Sequence, residues 1–192
     1  MLRPIHVHIH KCAGTSIRNT LGLEADPIHF TAAELRAHMG DAEWEAGVPF
    51  AVVRNPWERF WSLYRYLSRK DRGEAHIRWV ELGLSFDQWL RLLLDGAEAP
   101  RYAFQPRWAA SQSSWFADAP EVIVYNFEDF PEKGWPNLLA RLGRTLQPLA
   151  HANSSVAIGL RGGYSTGLWD EVGERYAEDI QAFGYTREAQ DP

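Results

Sequence analysis

The chain of 192 residues carries 20 Lys and Arg against 25 Asp and Glu, a formal charge of −5, with 45% hydrophobic residues and a single cysteine, Cys12. That length and apolar content suffice for a sizeable core; they exclude a disordered chain and point to one domain spanning 1–192. The negative balance excludes a global basic field for nucleic acid or anionic lipid, so any anion site must be local. One cysteine forms neither an internal disulfide nor a cysteine zinc cluster, and the three histidines in MLRPIHVHIHKCAG spoil a signal-peptide core. With no run of about 18 apolar residues, the sequence reads as a soluble cytoplasmic protein with no nucleic-acid or membrane partner.

In chain order, Pro4 to His10 alternates apolar residues with histidine and predicts a strand. Gly14, Thr15 and Ser16 then lead into SIRNTLGL, the first turns of a short helix. Thr31, followed three residues on by Glu34, predicts a capping box for a helix to about Met39. Pro49 to Arg54 is a second strand, and Asn55 with Pro56 supplies an N-cap and an N1 proline. Trp57, Phe60, Trp61, Tyr64 and Leu67 share one face of the helix that follows. Ser85 with Gln88 opens the helix FDQWLRLLL, and Glu121 to Phe127 is a third strand. Leu168, Val172, Tyr176, Ile180 and Phe183 predict one helix across the tail. No repeat, low-complexity tract or linker interrupts this series. Strands alternating with helices predict an α/β domain, a central parallel sheet flanked by helices, with its ligand at the carboxyl ends of the strands.

The first loop carries the first chemistry. Lys11, Ala13, Gly14, Thr15 and Ser16 lie between a strand end and a helix start, where unpaired N–H groups and the helix dipole favour an anion. The same string also suits an ordinary capped turn. The order GxxxxGK[ST] is absent, so the loop is P-loop-like in binding phosphate without implying nucleotide hydrolysis. Arg54 ends the second strand, and Arg59 and Ser62 follow one turn apart on the next helix, positions suited to a second anion. Alternatively Arg59 pairs with an acid and Ser62 faces solvent.

His6, His8 and His10 share one face of the first strand, with Val7 and Ile9 filling the other. A metal site is one reading of that face. The expectation is none, since ordinary strand packing explains it and no carboxylate cluster suits Mg²⁺. His38, His76 and His151 have no partner that the sequence names. Trp57, Trp61, Trp79, Trp89, Trp108 and Trp115 suit core packing, or else an acceptor cleft. The turn RGGY, Arg161 to Tyr164, either closes over a ligand or serves as a glycine cap.

HIHKCAGTSI followed by FAVVRNPWERFWSLYRYL resembles the two signature segments of sulfotransferases that use 3′-phosphoadenylyl sulfate, closest to the carbohydrate-type branch and its bacterial relatives. DPIHFTAAELRAHMGDAEWEAGVPF is similar to the family's intervening helix, VIVYNFEDF to a later strand and ERYAEDIQAFGY to its C-terminal helix. The resemblance implies direct in-line transfer of a sulfuryl group to the hydroxyl, or the amine, of a carbohydrate or small metabolite, without a metal. It implies Lys11 at the sulfate-bridging region, Ala13, Gly14, Thr15 and Ser16 around the 5′-phosphate, and Arg54 with Ser62 on the 3′-phosphate. Closure of the RGGY turn would bring Arg161 near that phosphate. His29 is the expected general base and His8 the alternative, with Gln105 and Arg107 as acceptor contacts. His10 and Cys12 stand where the family has proline and threonine. Two rival readings are a P-loop-like kinase or phosphotransferase, which needs a Walker lysine in register and a Mg²⁺ acid, and a non-catalytic nucleotide- or glycan-binding module without a base.

Overall fold

In the computed structural model, which describes residues 1–23, 26–68, 83–96, 106–150 and 163–186, the chain runs β1 (Arg3–Val7), α1 (Gly14–Leu21), α2 (Ala32–Met39), α3 (Asp41–Ala46), β2 (Gly47–Val53) and α4 (Pro56–Leu67). It continues through α5 (Phe86–Leu94), α6 (Pro106–Ala109), a 3₁₀ turn (Ser113–Trp115), β3 (Ile123–Asn126), a π-turn (Phe130–Gly134), α7 (Trp135–Arg141), α8 (Thr166–Arg175) and α9 (Ala177–Ala182). The sequence expectations at His76, Trp79, Gln105, His151 and Arg161 lie outside the described residues. These elements fall into two compact units, Met1–Arg54 with Gln112–Ser154, and Asn55–Ser111 with Ser155–Pro192.

The first unit is an α/β layer around a parallel sheet in the order β1-β2-β3. β2 is central and buried from Val48 to Val53, as a strand covered on both faces must be. It pairs with β1 at Ile5↔Pro49 and Val7↔Ala51, and with β3 from Phe50↔Ile123 to Val53↔Asn126. β3 therefore joins one residue past Pro49, whose missing N–H cannot serve a ladder. β1 ends at Val7, three residues short of the alternation in the sequence: Ile9 N donates to the Val7 carbonyl at 3.1 Å and turns the chain out of the ladder. The capping box of α2 forms as expected, with Glu34 N on Thr31 Oγ1 at 3.2 Å and Thr31 N on Glu34 Oε2 at 2.7 Å. Trp115, Phe130, Trp135 and Leu138 complete the buried apolar set beside Ile5, Ile9 and Ile17.

The second unit is helical. Asn55 caps α4 by accepting from Trp57 N at 3.1 Å, and Ser85 caps α5 in a full capping box with Gln88. Trp57, Phe60, Leu63, Trp89, Leu90, Trp108, Leu168 and Val172 form its core, so Trp57, Trp89 and Trp108 are packing residues. The tail forms two helices instead of the single one expected, because the backbone leaves the helical region at Tyr176, where φ is −110° and ψ is 26°. Tyr176 is fixed there by donating its hydroxyl to the Ala109 carbonyl at 2.5 Å.

Arg59 is fully buried and, among the described residues, pairs with no acid. It donates Nη1 to the Trp108 carbonyl and Nη2 to the Ala110 carbonyl, both at 3.2 Å, with its guanidinium 4.6 Å from the Phe60 ring. This engagement, rather than an anion, accounts for the arginine. Arg59→Lys should lower stability by about 1–3 kcal/mol, because one ammonium cannot reproduce a fork that holds two carbonyls. Urea unfolding checks this as a lower midpoint with an unchanged slope.

Candidate functional site

At the carboxyl edge of the first unit's sheet, the loop after β1 makes two excursions into the left-handed region, Lys11 at φ 67° and Ala13 at φ 58°. Each costs roughly 1–2 kcal/mol for a residue with a Cβ, and they bend the backbone into the kind of concave turn that gathers N–H groups around an anion. Ala13 is the N-cap of α1 and offers no side-chain acceptor to the first amides, while the first turn carries no acid. α2, α3, α4 and α5 each carry an acid there. Neither an N-cap side chain nor a first-turn carboxylate of its own therefore competes at the positive end of the α1 dipole. Gly14 is required by packing: a Cβ at this position would lie inside the His8 imidazole.

Arg54 follows β2 and reaches the same loop. Its Nη1 donates to the Lys11 carbonyl at 3.4 Å, and its guanidinium lies 4.2 Å from the centre of the Phe127 ring, just past β3. Phe127 N in turn donates to the Val53 carbonyl at 2.7 Å, so the ends of all three strands contribute to one edge. Gln112 organises it: Oε1 accepts from Arg54 N at 2.9 Å, Nε2 donates to the Arg54 carbonyl at 2.8 Å, and Cys12 Sγ lies 3.6 Å from Oε1. Gln112 sits 58 residues from Arg54 and belongs to no sequence motif. Its one signal is an amide that the structure buries completely.

The histidines assemble beside this loop. His10 stacks on His29 with ring centres 3.6 Å apart and planes 7° from parallel, while His8 lies 4.5 Å from His29 and 5.1 Å from His6. His29 adopts a left-handed backbone, φ 60°, and its Nδ1 is 3.1 Å from the His8 carbonyl. Burial lowers the pKa of His6 from 6.5 to about 3, with the Arg18 and His29 charges adding to the shift. Burial pushes His8 lower still, followed by the fields of His6, His29, His10 and Arg18.

The structure therefore brings Lys11, Ala13, Gly14, Arg54, His8 and His29 to one region of the first unit. Ser16 is buried in α1 and Thr15 is exposed on it. Ser62 is buried on α4 of the second unit, and Arg107 is exposed on α6. Among the described residues, no group of three or more His, Cys, Asp or Glu side chains is placed to hold a metal ion, and no helix is long and apolar enough to cross a membrane.

A family model described as the sulfotransferase family fits residues 5–186. Neither the curated proteins nor the solved structures yield a match.

The buried histidines make stability depend on pH with a definite sign. His6 and His8 hold protons less tightly folded than unfolded, so below their ordinary pKa the unfolded chain binds more protons and stability falls with pH. The unfolding free energy from urea titration should decline from pH 7 to pH 5 by up to about 1.4 kcal/mol per pH unit for each such group, and the midpoint with it. His6→Phe, stacked on Phe50 as His6 is at 4.8 Å, should flatten that decline. A midpoint constant over this range would contradict it.

Proposed function

The chain belongs to the sulfotransferase family over residues 5–186 and is a transferase, and we propose that it moves a sulfuryl group from 3′-phosphoadenylyl sulfate to an acceptor hydroxyl of a carbohydrate or small metabolite. The family match spans both compact units, which supports a single domain over 1–192. The observation that carries the reading is the meeting of the Arg54 guanidinium with the left-handed Lys11 turn at the start of α1. The residues present fit such a nucleotide: one cationic side chain and a set of helix amides for one phosphate, and a guanidinium for another.

When bound, this co-substrate supplies the sulfuryl group and a phosphate leaving group. The chain's own part is positioning and charge. The amides from Ala13 to Ser16 hold the 5′-phosphate, and Arg54 holds the 3′-phosphate with the planar fork that suits it. The Lys11 ammonium stabilises charge gathering on the bridging oxygen, the kind of preorganised electrostatics that phosphoryl-transfer enzymes use. His29 takes the acceptor proton at a ring nitrogen. No covalent protein intermediate is required, and Cys12 stays a buried packing thiol.

Calorimetry with adenosine 3′,5′-bisphosphate against AMP tests the binding half. The bisphosphate should bind at least about tenfold tighter, the worth of a charge-assisted contact of about 1.5–3 kcal/mol, and Arg54→Ala should erase that preference. Equal affinities in the unaltered protein would remove the nucleotide assignment.

The catalytic half is tested by turnover against a panel of hydroxylated acceptors. Lys11→Ala should lower the rate by about 10² to 10³, with Lys11→Arg only partly restoring it. His29→Ala should cost about 10² to 10⁴ while nucleotide affinity holds. Near-normal turnover in either alanine variant would refute the corresponding role.

A further inference from the structure

We propose that His10 is a positioning residue for His29: its ring, stacked face to face on the His29 ring at 3.6 Å, and the His8 carbonyl, 3.1 Å from His29 Nδ1, together hold His29 in the tautomer whose lone pair is on Nε2. The inference rests on the reading of His29 as the base and specifies which nitrogen takes the proton.

A carbonyl oxygen only accepts, so a hydrogen bond to it requires the proton on Nδ1, and the neutral ring then carries its lone pair on Nε2. A hydrogen bond from one ring nitrogen to a backbone carbonyl sets the imidazole tautomer at many functional sites. One hydrogen bond fixes a point on the ring and leaves rotation about that axis, which a parallel face at 3.6 Å restricts. His10 can act as that face because it is itself anchored: it is buried, and its ring meets Trp115 edge-on at 5.6 Å with planes 73° apart. The backbone of His29 points the same way. A left-handed φ of 60° is uncommon for a residue with a Cβ, and here the surrounding contacts over-determine it. His8 therefore contributes twice. Its carbonyl fixes the nitrogen, and its ring, which covers Gly14, prevents the strand end from shifting toward α1.

The test is long-range proton–nitrogen correlation spectroscopy on the full chain labelled at histidine, with His29 assigned by its disappearance in His29→Gln. In the unaltered protein at pH 7.5, His29 should show a protonated Nδ1 and an unprotonated Nε2. His10→Phe keeps an aromatic face and should keep that pattern. His10→Ala and the better-filling His10→Leu should move both nitrogens toward averaged values; whichever of the two remains folded by circular dichroism gives the reading. Turnover, followed as release of adenosine 3′,5′-bisphosphate from 3′-phosphoadenylyl sulfate with a mixed acceptor panel, should fall about tenfold or more in the Ala and Leu variants and recover in Phe. Affinity for adenosine 3′,5′-bisphosphate should not change. A proton on Nε2 in the unaltered protein, or nitrogen shifts indifferent to His10, would overturn the proposal even if His29→Gln is inactive. Conversely, the expected tautomer pattern with a fully active His29→Gln would refute the base and leave the positioning intact.

Discussion

A single buried amide ties the loop after β1 to the sheet. Gln112 satisfies both backbone groups of Arg54, donor and acceptor, and its oxygen also faces the Cys12 thiol in the loop after β1. Two hydrogen bonds from one rigid plane fix the peptide of Arg54 more tightly than a mobile arginine could fix itself. The guanidinium then has a defined origin from which to reach the Lys11 carbonyl. Placing a cation within an ångström or so is what separates a phosphate site from a merely basic surface, because effective electrostatics depend on donors already in place. Removing the amide would take both of these hydrogen bonds from the Arg54 backbone, a cost of about 0.5–1.5 kcal/mol for each.

The proposed anion site lies in a chain with net charge −5. The carboxylates spend their charge elsewhere. Asp26 and Glu43 pair with Arg3, and Asp41, Glu45 and Glu121 gather around Arg36. These exposed pairs contribute little to stability. The first turn of α1 carries no acid of its own, so no carboxylate from that turn competes with an anion for its amides.

Much of this architecture was legible in the sequence because its signals are local. Thr31 with Glu34, Ser85 with Gln88 and Asn55 with Pro56 announce three helix starts through side chains three residues or fewer from the groups they satisfy. The three parallel strands follow from short apolar runs between helices. What the sequence could not reveal depends on distant partners. The alternation to His10 overruns the strand, which ends at Val7, and beyond that end the His8 ring lies over Gly14, six residues on. The tail breaks at Tyr176 because a carbonyl 67 residues earlier claims its hydroxyl. Gln112 belongs to the same class. Lys11, His8 and His29 were visible as residue types suited to the chemistry, but the stacking of His29 on His10 arises only when the loop folds back.

The wiring of the second unit has a consequence for the order in which the protein is made. Trp57 Nε1 donates to the Trp169 carbonyl, 112 residues later, and Tyr164 returns its hydroxyl to the Trp57 carbonyl. A ribosome that has released α4 and α5 still holds the segment that closes their core. Contacts at such separation pay their loop-closure entropy late and slow the final step. During synthesis the tryptophan faces of α4 and α5 therefore stand open to solvent until α8 emerges, the interval in which a nascent chain is most prone to associate with its neighbours. Slowing translation after residue 111 would lengthen that interval, whereas a chaperone that shields aromatic surface would matter most within it.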